Sequence, residues 1–135
     1  MPGLVRLYIR TSLVYLAIGG LLGGLLLWNK GPVLSPNMWV LLGAHIALMT
    51  WGWLLHLTLG VAYWILPRIA GERPHASLAV VAYGSLNGGL LLAALQPWFA
   101  AAWLSVAAGA LQFLAAVVFT AHAWPRIRPA GSSTH

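Results

Sequence analysis

The sequence predicts an all-α protein, a bundle of four transmembrane helices with both termini in the cytoplasm. Three observations predict it. Of the 135 residues, 61% are hydrophobic and only 6% charged, and the mean hydropathy is +0.85. The apolar residues are gathered into four long runs rather than scattered. Six basic residues (Arg6, Arg10, Arg68, Arg73, Arg126 and Arg128) fall on one side of a four-span topology, and only Lys30 falls on the other. A soluble domain draws about 25% of its residues from the charged types. Seven basic residues and a single acid, Glu72, are too few to cover a water-exposed surface, so lipid is the solvent for most of this one. The net charge of +6 does not point to nucleic acid, because the charges lie between the apolar runs, where anionic headgroups meet them.

The first run covers residues 4–28 and is uncharged from residue 11 onward. Arg6 and Arg10 ahead of an apolar core resemble a signal peptide. The core is too long for an h-region, however, and no Ala-x-Ala site follows, so the run is expected to be a retained helix. A turn at Asn29-Lys30-Gly31-Pro32 leads to the second run, residues 38–66, the longest uncharged stretch. Residues 67–74 are rich in Pro and Arg and form the next break, before the third run at 76–95. Only Gln96-Pro97 separates this from the fourth run at 98–124, so helices three and four are expected to form a tight antiparallel hairpin. The tail, 125–135, is polar, and residues 1–135 read as a single transmembrane domain. Each run meets the requirement of about 20 apolar residues for a ~30 Å hydrocarbon core. The runs are continuous rather than alternating, which argues against strands. Excess basic residues stay inside. Trp28, Trp39 and Trp98 then mark the outer interface, and Trp64 and Trp124 the inner one. This is the pattern of a cell (inner) membrane protein.

There is no cysteine, which excludes disulfides, thiolate metal sites and a covalent CxxCH haem. The chemistry is concentrated in the second helix. At about 100° per residue, His45, Met49, Gly52, His56, Leu59, Gly60 and Tyr63 share one face. Two imidazoles, a thioether and a phenol therefore lie beside glycines, and the histidines are about 16 Å apart along the axis. Glycine beside histidine lets a flat, bulky group reach the backbone, as a haem requires. Neutral imidazole is a good ligand for haem iron, and helix bundles direct such ligands inward. Polar and small residues of a membrane helix also face neighbouring helices for packing alone, yet ionisable groups within a span are rare and mark ligands or ion paths. His45 and His56 are the candidate metal ligands, with Met49, Gly52 and Tyr63 lining the cofactor. His122, His75 and His135 are weaker candidates. Arg68 and Arg73 fit anionic lipid better than other partners.

The stretch from His45 through Leu92 resembles the second and third helices of heme–copper oxidase subunit I. The shared pattern is a histidine, a methionine four residues later, a downstream glycine, then Pro and Gly at the membrane exit. Here these are His45, Met49, Gly60, Pro67 and Gly71, followed by PHASLAVVAYGSLNGGLLL from Pro74. The first run, RLYIRTSLVYLAIGGLLGGLLL, resembles the first helix of that subunit. The resemblance implies that His45 is an axial ligand to a low-spin haem, with haem b as cofactor. The departures are equally informative. The family's second axial ligand, copper-site histidines and high-spin haem ligand come from later helices, and this chain has four. No closely paired histidines are present to hold copper, so copper is not expected, and the chain is not a complete oxidase on its own. No other histidine of one protomer is level with His45. A homodimer with a two-fold axis along the membrane normal would bring His45 of both chains to one iron. A five-coordinate haem, Met49, or a ligand from another subunit are the alternatives.

Small-residue pairs offer means of association: Gly19/Gly23 and Gly20/Gly24 in helix one, Gly84/Gly88 and Ser85/Gly89 in helix three. Asn87 and Gln112, deep in helices three and four, are expected to hydrogen-bond to one another, to backbone or to a cofactor. The function expected is haem binding for electron transfer or for redox or gas sensing, with a respiratory-chain partner. The alternative is a non-catalytic accessory or assembly subunit of a respiratory oxidase that lacks haem. A proton or solute channel ranks last, because the chain has too few acids for a relay. The cysteine-free background makes the orientation directly measurable. With single cysteines at Gly31 and Ser132, an impermeant maleimide added to intact cells should label Gly31→Cys and leave Ser132→Cys unlabelled until the membrane is opened. The reverse pattern would invert the topology.

Overall fold

The structure, a computed structural model, describes residues 3–31, 35–69, 73, 75–99 and 101–127. Of the positions discussed above, Pro32, Gly71, Glu72, Pro74, Arg128, Ser132 and His135 lie outside the described residues. Among the described residues four helices are long and apolar enough to cross a membrane, which fits a multi-pass membrane protein. We label them α1 (Gly3–Lys30), α2 (Pro36–Ile65), α3 (Ala76–Leu95) and α4 (Ala102–Ala123). Short 3₁₀ turns extend α3 through Trp98 and α4 through Arg126.

Their outward faces are those of a lipid-solvated bundle. Leu21, Leu27, Ile65, Val106 and Phe113 are each at least 66% exposed. Such a continuous apolar surface would drive association in water but is at no disadvantage against acyl chains. Inside, two small clusters form the core. Val5, Tyr63, Ala79, Ala82, Phe119 and Ala123 pack near the arginine-rich end, and Ala47, Leu48 and Leu90 near the other. Two pairings dominate the packing: α1 lies along the whole of α2, and α3 and α4 form a closely packed hairpin. Alanine and glycine line the α3–α4 seam, with Gly89 so close to α4 that a Cβ there would sit 2.9 Å from the Ala108 carbonyl. At the α1–α2 turn, Asn29 donates from Nδ2 to the Ser35 carbonyl (3.1 Å) and accepts from the Ser35 N–H at Oδ1 (3.0 Å). The buried amide thereby fastens the start of α2 to the end of α1.

The α1–α2 seam interlocks in both directions. At Gly60 an added Cβ would stand 2.7 Å from Tyr8 Cβ, and at Gly52 it would stand 2.9 Å from Tyr15. Conversely, Gly19 and Gly23 of α1 receive Met49 and His45 of α2. Each helix contributes glycines where the other contributes bulk, which permits close backbone approach in a medium that offers no hydrophobic drive.

Helix α2 is not uniformly α. It opens as a 3₁₀ turn (Pro36–Val40), and Leu48–Leu55 is π-helical. In a regular α-helix, residues four apart drift by about 40° per step. The wider π turn reduces that drift, and Leu48, Gly52, His56 and Gly60 all remain buried. None of the seven residues assigned to the functional face of α2 is exposed. Gly60→Ala should therefore lower stability in detergent by roughly 1–3 kcal/mol through overpacking. Gly84→Ala, where nothing lies within 4 Å of the added carbon, should leave thermal unfolding of the purified protein nearly unchanged.

Candidate functional site

The histidines of the spans and the polar side chains bonded to them fall into three layers along the bundle axis. The layer nearest Lys30 holds His45. Its Nδ1 lies 2.8 Å from the Gly19 carbonyl oxygen, which can only accept, so Nδ1 carries the proton and Nε2 carries the lone pair. The ring rests directly on Gly23, where a Cβ would fall 2.7 Å from Cε1. His45 is partly exposed, and its Nε2 makes no hydrogen bond among the described residues. It lines a groove of about 510 Å³ with Gly20, Gly24, Leu27, Trp39 and Lys30. This is how a metal-ligating histidine is held: one nitrogen anchored to a carbonyl, the tautomer fixed, and the other presented with its lone pair. The groove walls are apolar apart from the Lys30 ammonium, which lies 6.0 Å from the Trp39 ring centre. Met49 packs over Gly19, its Sδ 2.8 Å from where a Cβ would stand.

The middle layer surrounds His56, which is fully buried. Its Nδ1 donates to the Trp51 carbonyl at 2.8 Å, within the π segment, and Nε2 accepts from Asn87 Nδ2 at 2.9 Å. Asn87 also donates to the Tyr83 carbonyl (2.8 Å) and accepts from Tyr15 Oη at Oδ1 (2.5 Å). Tyr8, Tyr15 and Tyr83 pack around the imidazole with ring centroids 5.4–5.9 Å away. Thr11 and Tyr83 share a hydrogen bond at 2.7 Å, and Tyr8 Oη donates to the Ala79 carbonyl. This network crosses α1, α2 and α3 and engages both nitrogens of His56. The structure thus assigns the two α2 histidines different environments, with His45 open to a groove and His56 closed within protein.

The third layer lies at the arginine-rich end. Arg126, fully buried, donates from Nε to the Pro67 carbonyl and from Nη2 to the Tyr63 and Leu66 carbonyls, at 2.5–3.1 Å. These acceptors are carbonyls at the C-terminal end of α2 that have no intrahelical donor to meet, where a cation is also favoured by the helix dipole. Nη1 donates to His122 Nε2 at 2.8 Å, and His122 Nδ1 donates to the His75 carbonyl at 3.1 Å. His75 adopts the left-handed conformation (φ 54°) at the head of α3. Tyr63 stacks on His122 with centroids 5.2 Å apart. Tyr63 therefore belongs to this layer and not to that of His45, and Gly52 belongs with Tyr15 in the middle layer.

Asn87 and Gln112 do not meet. Asn87 joins the His56 network, and Gln112 is buried against Gly89 with its Nε2 lacking a hydrogen-bond partner among the described residues. Tyr8, Tyr15 and Tyr83, and the buried role of Arg126, were not singled out from sequence. Their spacing carries a signal: Tyr8 and Tyr15 are two turns apart, and Tyr83 and Asn87 one turn apart, each pair on one helix face. Among the described residues no three His, Cys, Asp or Glu side chains converge as a metal cluster. A haem would need one protein nitrogen with a lone pair and an apolar, close-approach wall, and His45 with its groove fits both requirements.

Fold and surface define a multi-pass membrane helix bundle with a histidine-bearing lateral groove. No family model, curated protein or solved structure matches the chain.

The middle layer makes a quantitative prediction. His56→Leu and Asn87→Leu should each destabilise the protein by roughly 1–3 kcal/mol, because each leaves a buried polar group without its partner. The double variant should recover about 0.5–2 kcal/mol of the summed loss. Additive losses in detergent unfolding would show that the contact is not energetically coupled.

Proposed function

We propose that the protein binds haem b through His45 and transfers electrons within the membrane, as a relative of heme–copper oxidase subunit I that lacks the copper site. The observation that carries this reading is the state of one side chain. His45 has Nδ1–H committed to the Gly19 carbonyl and Nε2 without a hydrogen bond, at a groove whose wall is glycine. A bound haem supplies one-electron redox chemistry. The residues of the chain hold it, fix its orientation and keep water away: His45 ligates, Gly20, Gly23 and Gly24 admit a flat face, and Leu27, Leu42 and Trp39 exclude water. Lys30 offers its ammonium to carboxylates at the groove mouth. His56 is assigned a structural part, because both its nitrogens are already engaged.

The groove faces outward, and nothing of the described chain lies within 4 Å of a Cβ built at Gly20 or Gly24. A second copy laid against this face would bring a second His45 to the site and cover the haem on its far side. A respiratory-chain partner would then exchange electrons with it. The arginine-rich end is assigned to the cytoplasm by the positive-inside rule, in the inner membrane.

Absorption spectra of detergent-purified protein, oxidised and dithionite-reduced, test the reading. Wild type should show sharp reduced α and β bands, at one haem per two chains, and His45→Ala should lose them. His56→Leu should keep them if it folds. A colourless wild-type protein from haem-replete cells would leave an accessory helix bundle instead.

A further inference from the structure

The arginine-rich end carries a feature that haem binding does not use. Arg126 is fully buried, and its hydrogen bonds go to three backbone carbonyls and His122, so dipoles surround its charge. A second guanidinium lies against the same aromatic ring. Arg73 Cζ is 5.2 Å and Arg126 Cζ 5.5 Å from the Tyr63 centroid. The Arg73 Nε is buried and has no hydrogen-bond partner among the described residues. Two cations at one ring, one with an unmatched buried donor, make a locus for an oxyanion, since burying a charge without a counter-charge is costly.

Beside this locus runs an apolar groove of about 620 Å³. It exists because α4 packs on α3 along its length and meets α2 closely only at its end. On α2 it spans Leu57 to Leu66, about 14 Å of helix axis. Phe119, Ala123 and Ile127 of the α4 side form its other wall. Its arginine end is at Leu66 and Ile127, whose neighbour Arg126 donates to the Leu66 carbonyl. Exposed Arg68 follows two residues after Leu66.

We propose that this end of the bundle is a binding site for one anionic phospholipid, with its phosphate on Arg73 beside Arg126 and an acyl chain in the α2–α4 groove. Charge and shape select the same molecule. The Arg73 guanidinium offers a phosphate its donors, with the Arg126 charge behind it, and the groove takes hydrocarbon and little else. Basic pockets between membrane helices at the cytoplasmic face recognise such headgroups. The site does not depend on the haem assignment.

The test is native mass spectrometry of the full chain exchanged into nanodiscs of phosphatidylglycerol or phosphatidylcholine, with thermal unfolding measured in parallel. Wild type should retain one phosphatidylglycerol per chain and unfold at a higher temperature in the anionic lipid. Arg126 caps α2, and its loss could unfold the protein, so the informative variants are Arg73→Gln and Val61→Trp. The first removes the unmatched guanidinium, and the second fills the groove. Arg73→Gln should weaken the anionic preference about fivefold, the weight of one basic side chain at a headgroup. Val61→Trp should displace the bound lipid with the helix content intact. Equal retention of the two lipids by wild type would overturn the proposal. So would a preference that survives Arg73→Gln, or stabilisation by inorganic phosphate equal to that by the lipid.

Discussion

Hydrocarbon does not hydrogen-bond, and this constraint shapes the buried polar contacts of the described helices. In water a stray imidazole or amide finds a solvent partner. Here it must find one within the bundle or face the cost of burial alone. The His56 network is the fullest answer to that demand. The Trp51 carbonyl, His56, Asn87 and Tyr15 form one chain in which each donor faces an acceptor and only one imidazole tautomer works. Because its members come from α1, α2 and α3, the network sets the relative height and rotation of three helices. Packing between apolar faces alone would leave these loosely specified.

The same constraint distinguishes the two histidines of α2. His56 lies where two tyrosines of α1 and one of α3 converge, and its nitrogens are taken up by protein. His45, about three turns earlier, meets α1 at Gly19 and Gly23. Glycine offers a carbonyl and no side chain, so one nitrogen is anchored and the other left open at a groove. Residue type is identical in the two positions. The neighbouring helix decides which imidazole is structural and which is available to a ligand.

Charge is handled differently at the arginine-rich end. The Arg126 charge is met by dipoles, its guanidinium spread over the carbonyls that end α2. This binds the end of α4 to α2, although the two helices otherwise leave a groove between them. His122, between Arg126 and the His75 carbonyl, extends this fastening to the head of α3.

Four apolar spans, their approximate limits and the helical character of the chain were legible in the sequence, because lipid solvation demands continuous apolar length and nothing tertiary is needed to see it. The inward face of α2 was legible too, since a period close to that of a helix collects His45, Gly52, His56, Gly60 and Tyr63 together. What those residues do was not. Seen along a single helix, Gly52 and Tyr63 look like parts of one site with His45. Only the packing partners divide them among three layers, with Tyr15 claiming Gly52 and His122 claiming Tyr63. The π segment that keeps Leu48, Gly52, His56 and Gly60 buried leaves no mark in composition, and Arg126 reads in sequence as one more interfacial cation. Sequence determines which groups must leave water. The tertiary structure decides which partner each one meets, because hydrogen bonds and close contacts form between helices whose rotation no single helix specifies.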